Sequence, residues 1–384
     1  MTYILTFIAV LVLAYFYDHA PTTRHKEILS VVIIIMLTLI GGLRSVEVGT
    51  DNYRYKDIFE TCRASSLLEC LRYGYTSTKE AGFIVFTWLI ARFGESYTLF
   101  TTTTSFFTIV FVIAGMRHFA DSYKLSLRIM LEVYLFVYYC CYFNLVRQGL
   151  ACAIVFYAFK YIDEKKIIKY LVFVILAASI QTSLLAAIPI YFLLRFTNNQ
   201  TEMDQRKNKE LPIIAMFVLA PLFIFVGPII TSSFINIISR IPLLANLVPK
   251  LSSLSSVYST ANRVSYGTGI FIRAIPQVMI VSIFYNKIRN AYKNMVGLYL
   301  IEWIQVFIML LGTIYEPMTR VAYIYNYAQL ILFAAIGTKY RGKDMKIVVE
   351  IIILLYCVTY WILFTVLNHY GYARPVFPYE FAIY

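Results

Sequence analysis

The chain has 384 residues, 60% of them hydrophobic and only 14% charged, with a net charge of +13 and a mean hydropathy of +0.69. Soluble domains carry about 25% charged residues, so this balance excludes a soluble enzyme, and continuous apolar runs exclude a transmembrane β-barrel, whose strands are short and alternating. The positive excess reads as basic loops and as contacts to anionic lipids or substrate, because no basic tail or nucleic-acid motif accompanies it.

Apolar runs occupy Thr2–Tyr17, Ile28–Leu43, Tyr97–Met116, Leu127–Phe143, Gly149–Phe159, Ile167–Phe196, Leu211–Thr231, Thr268–Tyr285, Met295–Gly312, Met318–Gly337 and Ile347–Leu367. The first lacks a basic start and a cleavage site, so it is predicted to be a retained span rather than a signal peptide. Gly82–Phe93 is too short to cross: 12 residues reach about 18 Å against about 30 Å of hydrocarbon. It is expected to dip into the membrane surface or to re-enter. The long run Ile167–Phe196 is broken by Ser179, Gln181, Thr182 and Ser183. Treating it as a hairpin turning at Gln181 puts every basic loop (Arg24/Lys26, Arg117/Lys124/Arg128, Lys160/Lys165/Lys166/Lys169, Arg206/Lys207/Lys209, Lys287/Arg289/Lys293, Lys339/Arg341/Lys343/Lys346) on the cytoplasmic side, with about 12 crossings and both termini outside. The expected fold is therefore an all-α polytopic integral membrane protein, one transmembrane domain over residues 1–384, with outer loops at 44–80 and 232–267.

This topology collects the unusual polar residues on one face. The segment Arg44–Glu80 alone holds six basic and six acidic residues. Within it, Asp51 follows Gly49-Thr50 and precedes Tyr55, Ile58, Phe59 and Cys62, a spacing that predicts an amphipathic helix on the outer surface. Thr50 or Asp51 suits its N-cap; Asp51 also suits a general base, with Asp57 and Glu80 as rivals. Cys62 and Cys70 share this segment and can pair if it faces an oxidising compartment; most of the other cysteines sit in apolar runs as small hydrophobes.

Arg147, in Asn144-Leu-Val-Arg-Gln148, stands between two apolar runs. A guanidinium shuttles no protons but offers a rigid fork for phosphate or carboxylate. Snorkelling to lipid headgroups is the plainer reading, although Asn144 and Gln148 beside it favour a polar pocket. Arg44 and Arg320 lie at span ends and are candidates for the same anion; Arg320 has Glu316 nearby as a local ion-pair partner. Arg273 and Glu302, inside apolar runs, are expected to pair with each other. Most of the 33 tyrosines, 29 phenylalanines and 3 tryptophans should serve packing and interfacial belts, with Tyr53, Tyr55, Tyr73 and Tyr75 placed to stack on sugar rings. No HExxH, DxD, Cys/His cluster or P-loop occurs and the four histidines are scattered. No metal, cofactor or ATP site is expected, so the chemistry calls for a substrate already activated.

Arg44-x4-Gly49-Thr50-Asp51-x-Tyr53-x-Tyr55 with Phe59 resembles the signature of the EpsG-like family of bacterial exopolysaccharide polymerases, the Wzy-type group. Glu80-Ala-Gly82-Phe83 is similar to that family's Glu-Pro-Gly-Phe stretch, Asn144-x2-Arg147-Gln148-x2-Ala151 to its Arg-Gln helix start, and Pro378-Tyr379-Glu-Phe381 to its endings. One departure is Gln181-Thr-Ser183-Leu, where relatives often carry a histidine. The resemblance implies a GT-C-like membrane glycosyltransferase of the bacterial inner membrane, its active site facing the periplasm. It would polymerise undecaprenyl-diphosphate-linked repeat units into O-antigen or exopolysaccharide by metal-independent, inverting transfer. Asp51 and Arg147 would be catalytic. Arg44, Tyr53, Tyr55, Glu80, Gln148 and Arg320 would bind diphosphate or glycan. Its partners would be the lipid-linked glycan, membrane lipids, a flippase and a chain-length regulator, with no nucleic acid. A flippase for the same lipid and an O-antigen ligase are the alternatives.

Overall fold

In a computed structural model, residues 1–77, 80–200, 266–288, 294–311, 317–339, 343–367 and 376–382 are described. In chain order these residues form α1 (Thr2–Asp18), α2 (Thr23–Gly42), α3 (Asn52–Ala64), α4 (Leu67–Ser77), α5 (Ala81–Ile90), α6 (Tyr97–Tyr123) and α7 (Leu127–Val133). A π-helical turn, Tyr134–Tyr139, continues α7, and α8 (Val146–Asp163), α9 (Ile167–Ile180), a 3-10 segment (Thr182–Ala187) and α10 (Ile188–Gln200) follow. Then come α11 (Tyr266–Ile288), α12 (Met295–Leu311), α13 (Pro317–Tyr325), α14 (Tyr327–Lys339) and α15 (Lys343–Trp361). Among the described residues the one β feature is an isolated antiparallel bridge between Arg44 and Phe381. The fold is an all-α membrane protein. Four helical stretches, Thr23–Gly42, Tyr97–Tyr123, Met318–Thr338 and Met345–Val366, are long and apolar enough to cross a bilayer.

Side-chain caps start several helices where the sequence supplies them. Thr22 accepts from the His25 amide, Ser96 from Thr98 and Ser126 from Ile129, each satisfying an amide that the helix itself leaves unpaired. The 10-residue α5 matches the short run at 82–93. Ile167–Phe196 is broken at Gln181 and doubles back: the Tyr170 hydroxyl, in the first turn of α9, donates to the Ala187 carbonyl at 2.8 Å, and the Tyr170 and Tyr191 rings lie 5.5 Å apart. The segment at 44–80 is not an irregular loop. It folds into α3 and α4, joined by a Cys62–Cys70 disulfide. Most of 232–267 lies outside the described residues, as do Glu316 and the Arg273 side chain. Glu302, the partner expected for Arg273, is fully buried, and neither carboxylate oxygen makes a hydrogen bond to the described residues.

The two ends of the bundle differ in chemistry. At one, helix termini from both halves meet through hydrogen bonds to carboxylates: Lys26 Nζ to Asp121 at 2.8 Å, Ser126 Oγ to Asp18 at 2.5 Å, and Asn294 Nδ2 and the Tyr123 hydroxyl to Asp163 at 3.1 and 2.9 Å. The described basic residues Lys26, Lys124, Arg128 and Lys346 therefore share one end, as the charge distribution predicts. The other end carries the C-terminus of α2, the surface helices α3 to α5 and the start of α8. Residues 376–382 fold back over it. The Ser45 amide donates to the Glu380 carbonyl at 2.8 Å, the Ala382 amide to Leu43 at 2.9 Å, and the Tyr3 hydroxyl to Val376 at 2.9 Å.

Candidate functional site

The site grows from the turn Gly49-Thr50-Asp51. Gly49 has φ +111°, and a Cβ there would stand 2.9 Å from Asn144 Oδ1 and 3.2 Å from the Phe143 carbonyl oxygen. Both the backbone angle and the close approach require glycine. The next amide, Thr50 N–H, donates to Asn144 Oδ1 at 2.6 Å. Asp51 occupies the N-cap position of α3, but its carboxylate makes no capping bond.

Asn144 leads into α8, whose first turn carries Arg147 and Gln148. Arg147 Nη1 donates to Glu80 Oε2 at 2.5 Å, its guanidinium lies 5.5 Å from the centre of the Phe83 ring, and Tyr55 lines the same cleft beside it. Between Glu80 and Phe83, Gly82 lets α5 press against the end of α9, where a Cβ would come within 2.2 Å of Ser179 Oγ. Within the Glu80–Phe83 stretch, Glu80 and Phe83 therefore contact Arg147, and Gly82 permits the packing that brings them there. Gln148 is buried; its Nε2 donates to the Arg320 carbonyl at 3.1 Å, and its Oε1 accepts from Ser183 Oγ at 3.3 Å. One side chain thus ties α8, α13 and the 3-10 segment.

Asp51, Tyr55, Leu145, Arg147, Gln148, Gln181 and Arg320 line a cleft of about 260 Å³. Partial burial raises the Asp51 carboxyl above the ordinary aspartate value, against the opposing pull of Arg320, Arg54 and Arg147 in that order. A carboxylate poorly solvated yet ringed by guanidinium groups can take a proton while the cations hold an anion beside it.

Of the residues expected at the site, Asp51, Tyr55, Arg147, Gln148 and Arg320 converge, and Glu80 joins them through Arg147. Arg44 and Tyr53 do not line the cleft. Arg44 is 4% exposed; it donates to the Gly41 carbonyl and, at 3.4 Å, to Asn52 Oδ1, with its guanidinium 4.6 Å from the Phe143 ring centre. The returning tail covers it. Tyr53 points away and donates to Glu47, and Asp57 is exposed on α3 outside the cleft. Asn144, expected beside Arg147 in a polar pocket, acts through the backbone of another motif. Arg54 was not singled out; it is one turn from Asp51 on a helix whose i, i+3 spacing is its only signal.

No curated protein and no solved structure matches the chain. A family model described as the EpsG family aligns with residues 27–381. That span takes in all three motifs of the cleft and the tail that closes over Arg44, and the chain belongs to the EpsG family.

Proposed function

We propose that this protein polymerises lipid-linked oligosaccharide repeats into a surface polysaccharide at the outer face of the bacterial inner membrane. The observation that carries the reading is the cleft in which Asp51, Arg147 and Arg320, from three distant segments, face one space. Family membership supports a polysaccharide polymerase, and the apolar helices support work at a membrane. The Cys62–Cys70 disulfide favours an oxidising compartment for α3 and α4, and the basic clusters at the opposite end favour the cytoplasm there.

In the proposed reaction a growing glycan on undecaprenyl diphosphate is the donor and the terminal sugar of one lipid-linked repeat is the acceptor. Asp51 accepts the proton of the acceptor hydroxyl as its oxygen bonds to the anomeric carbon. The bond from that carbon to the diphosphate oxygen breaks, and the diphosphate leaves with the electron pair. Arg147 and Arg320 stabilise its charge, which removes the need for a proton donor. Displacement in one step inverts the anomeric centre. Glu80 fixes one edge of the Arg147 fork, Tyr55 and Gln148 hold the walls, and Arg44 braces the turn from beneath. A flippase would supply the repeats and a chain-length regulator would end the polymer.

The test is a gel of surface polysaccharide from a deletion strain complemented with Asp51→Ala and Arg147→Ala. Loss of polymerase leaves the acceptor bearing a single repeat. Loss of every repeat assigns the protein to flipping or ligation instead, and a normal ladder from both variants at normal expression removes these residues from the site.

A further inference from the structure

At the basic end, the termini of α1, α2, α6, α7, α14 and α15 surround a second cleft of about 920 Å³. Its cations are Lys26, Lys124, Arg128 and Lys346, and its carboxylates are Asp18 and Glu350. Internal partners occupy part of this charge. Lys26 pairs with Asp121 at 2.8 Å, and Arg128 pairs with Glu132 at 3.3 Å and with Glu350. Asp18 accepts from Ser126 Oγ and from the amides of Leu127 and Arg128, which uses it to cap α7. Lys124 makes no ion pair among the described residues, and Lys346 reaches Glu350 only at 4.0 Å. Both are exposed, one at the end of α6 and the other at the start of α15. Lys124 therefore has no ion-pair partner among the described residues, and Lys346, on a separate helix, only shares Glu350 with Arg128.

The surroundings indicate what complements these lysines. α1 and α15 both flank the cleft, and both present apolar side chains outward: Ile8 and Val12 on α1 are 56% and 47% exposed, and Ile347 and Ile351 on α15 are 52% and 49% exposed. A ligand with a phosphate for the lysines and hydrocarbon for these faces is an anionic phospholipid. We infer that this cleft binds the headgroup phosphate of such a lipid between Lys124 and Lys346, with its acyl chains along the apolar sides of α1 and α15. Arg128 and Lys26 supply the positive floor, fixed in place by their own carboxylates. This site is separate from the outer cleft and does not depend on the reaction assigned there.

Native mass spectrometry of the full-length protein in mild detergent, titrated with phosphatidylglycerol, phosphatidylcholine or inorganic phosphate, tests the inference. Phosphatidylglycerol retention should fall by about fivefold for each lysine neutralised in Lys124→Asn and Lys346→Gln, and multiplicatively in the double variant. Asparagine suits the left-handed backbone of Lys124, φ 57°. Phosphatidylcholine retention should not change. Lys169→Gln, a neutralisation at the same end outside the cleft, should retain phosphatidylglycerol as the parent does. Undiminished retention in the double variant, or an equal loss in Lys169→Gln, overturns the site. Displacement of phosphatidylglycerol by inorganic phosphate, with the same lysine dependence, makes a soluble phosphate the occupant and overturns the lipid assignment. Melting temperatures of the two single variants separate loss of binding from loss of fold.

Discussion

The Thr50 amide donates to Asn144 Oδ1 at 2.6 Å, and through this bond the turn that carries Asp51 is fastened to the turn that starts the Arg147 helix. The two motifs lie far apart in the chain, yet one amide side chain joins the turn of the carboxylate to the turn of the guanidinium. Gly49 beside it is held to the same contact, since any Cβ would meet the Asn144 oxygen.

Asn144→Ala should therefore lower polymerisation more than stability. Losing the acceptor of a part-buried amide costs about 1–3 kcal/mol, whereas a displacement of about 1 Å at the reacting groups costs about 10²-fold in rate. Asn144→Asp keeps an acceptor and should recover much of the rate. Polymer yield from a reconstituted lipid-linked substrate, beside a melting curve, checks both; an Asp variant no better than Ala would remove the positioning role.

Asp51 should set the acid side of the pH profile. Because partial burial raises its carboxyl, it takes up a proton at a higher pH than an ordinary aspartate. Rate should fall as pH drops through that raised value and be retained above it. Asp51→Asn should lose about 10²- to 10⁴-fold at all pH values and flatten the acid limb. An unchanged acid limb in the residual activity would assign the base elsewhere.

Arg147 and Glu80 are both nearly buried, with side chains 13% and 11% exposed. Removing one partner leaves the other charge poorly solvated, so each single Gln substitution should destabilise more than the double. A coupling of about 0.5–3 kcal/mol in the double-mutant cycle is expected. Activity should separate the two residues: Arg147→Gln should lose polymer outright, and Glu80→Gln should keep a shortened ladder. Equal losses would mean that Glu80 does more than hold the fork.

The Cys62–Cys70 bridge closes a short loop between α3 and α4. Cys62→Ser with Cys70→Ser should lower stability by about 2–3 kcal/mol. In membranes alkylated before lysis, neither cysteine should take label without prior reduction. Full labelling of both would contradict an outer, oxidising position for these helices.

Much of the site was legible because it breaks the rules of a span. Gly-Thr-Asp at one span end and Asn-x2-Arg-Gln at another are polar where hydrocarbon is expected, and each needs a use. Gln181 was legible for the same reason, as a polar break in a run too long for one crossing. Arg44 shows where such reading stops. Its sequence neighbourhood is as polar as that of Asp51, but the backbone that covers it, Glu380 to Ala382, comes from the far end of the chain, and nothing local announces that pairing. The buried amides of the second half were also silent. Gln277 donates to Gln305 at 2.6 Å, and Gln305 to Asn326 at 3.0 Å. Each is a polar residue inside an apolar run, with no spacing that reveals its partner.

The pairing of residues 380–382 with Leu43 and Ser45 also orders events during synthesis. At about 5–20 residues per second, the α2 end that bears Arg44 leaves the ribosome tens of seconds before the segment that covers it. Throughout that interval a guanidinium that is buried in the folded protein has Gly41, Asn52 and, later, Phe143 for company, but not the tail. The turn below Asp51 thus receives its brace only after residues 380–382 have been made, and shorter nascent polypeptides carry their motifs without a fastened site.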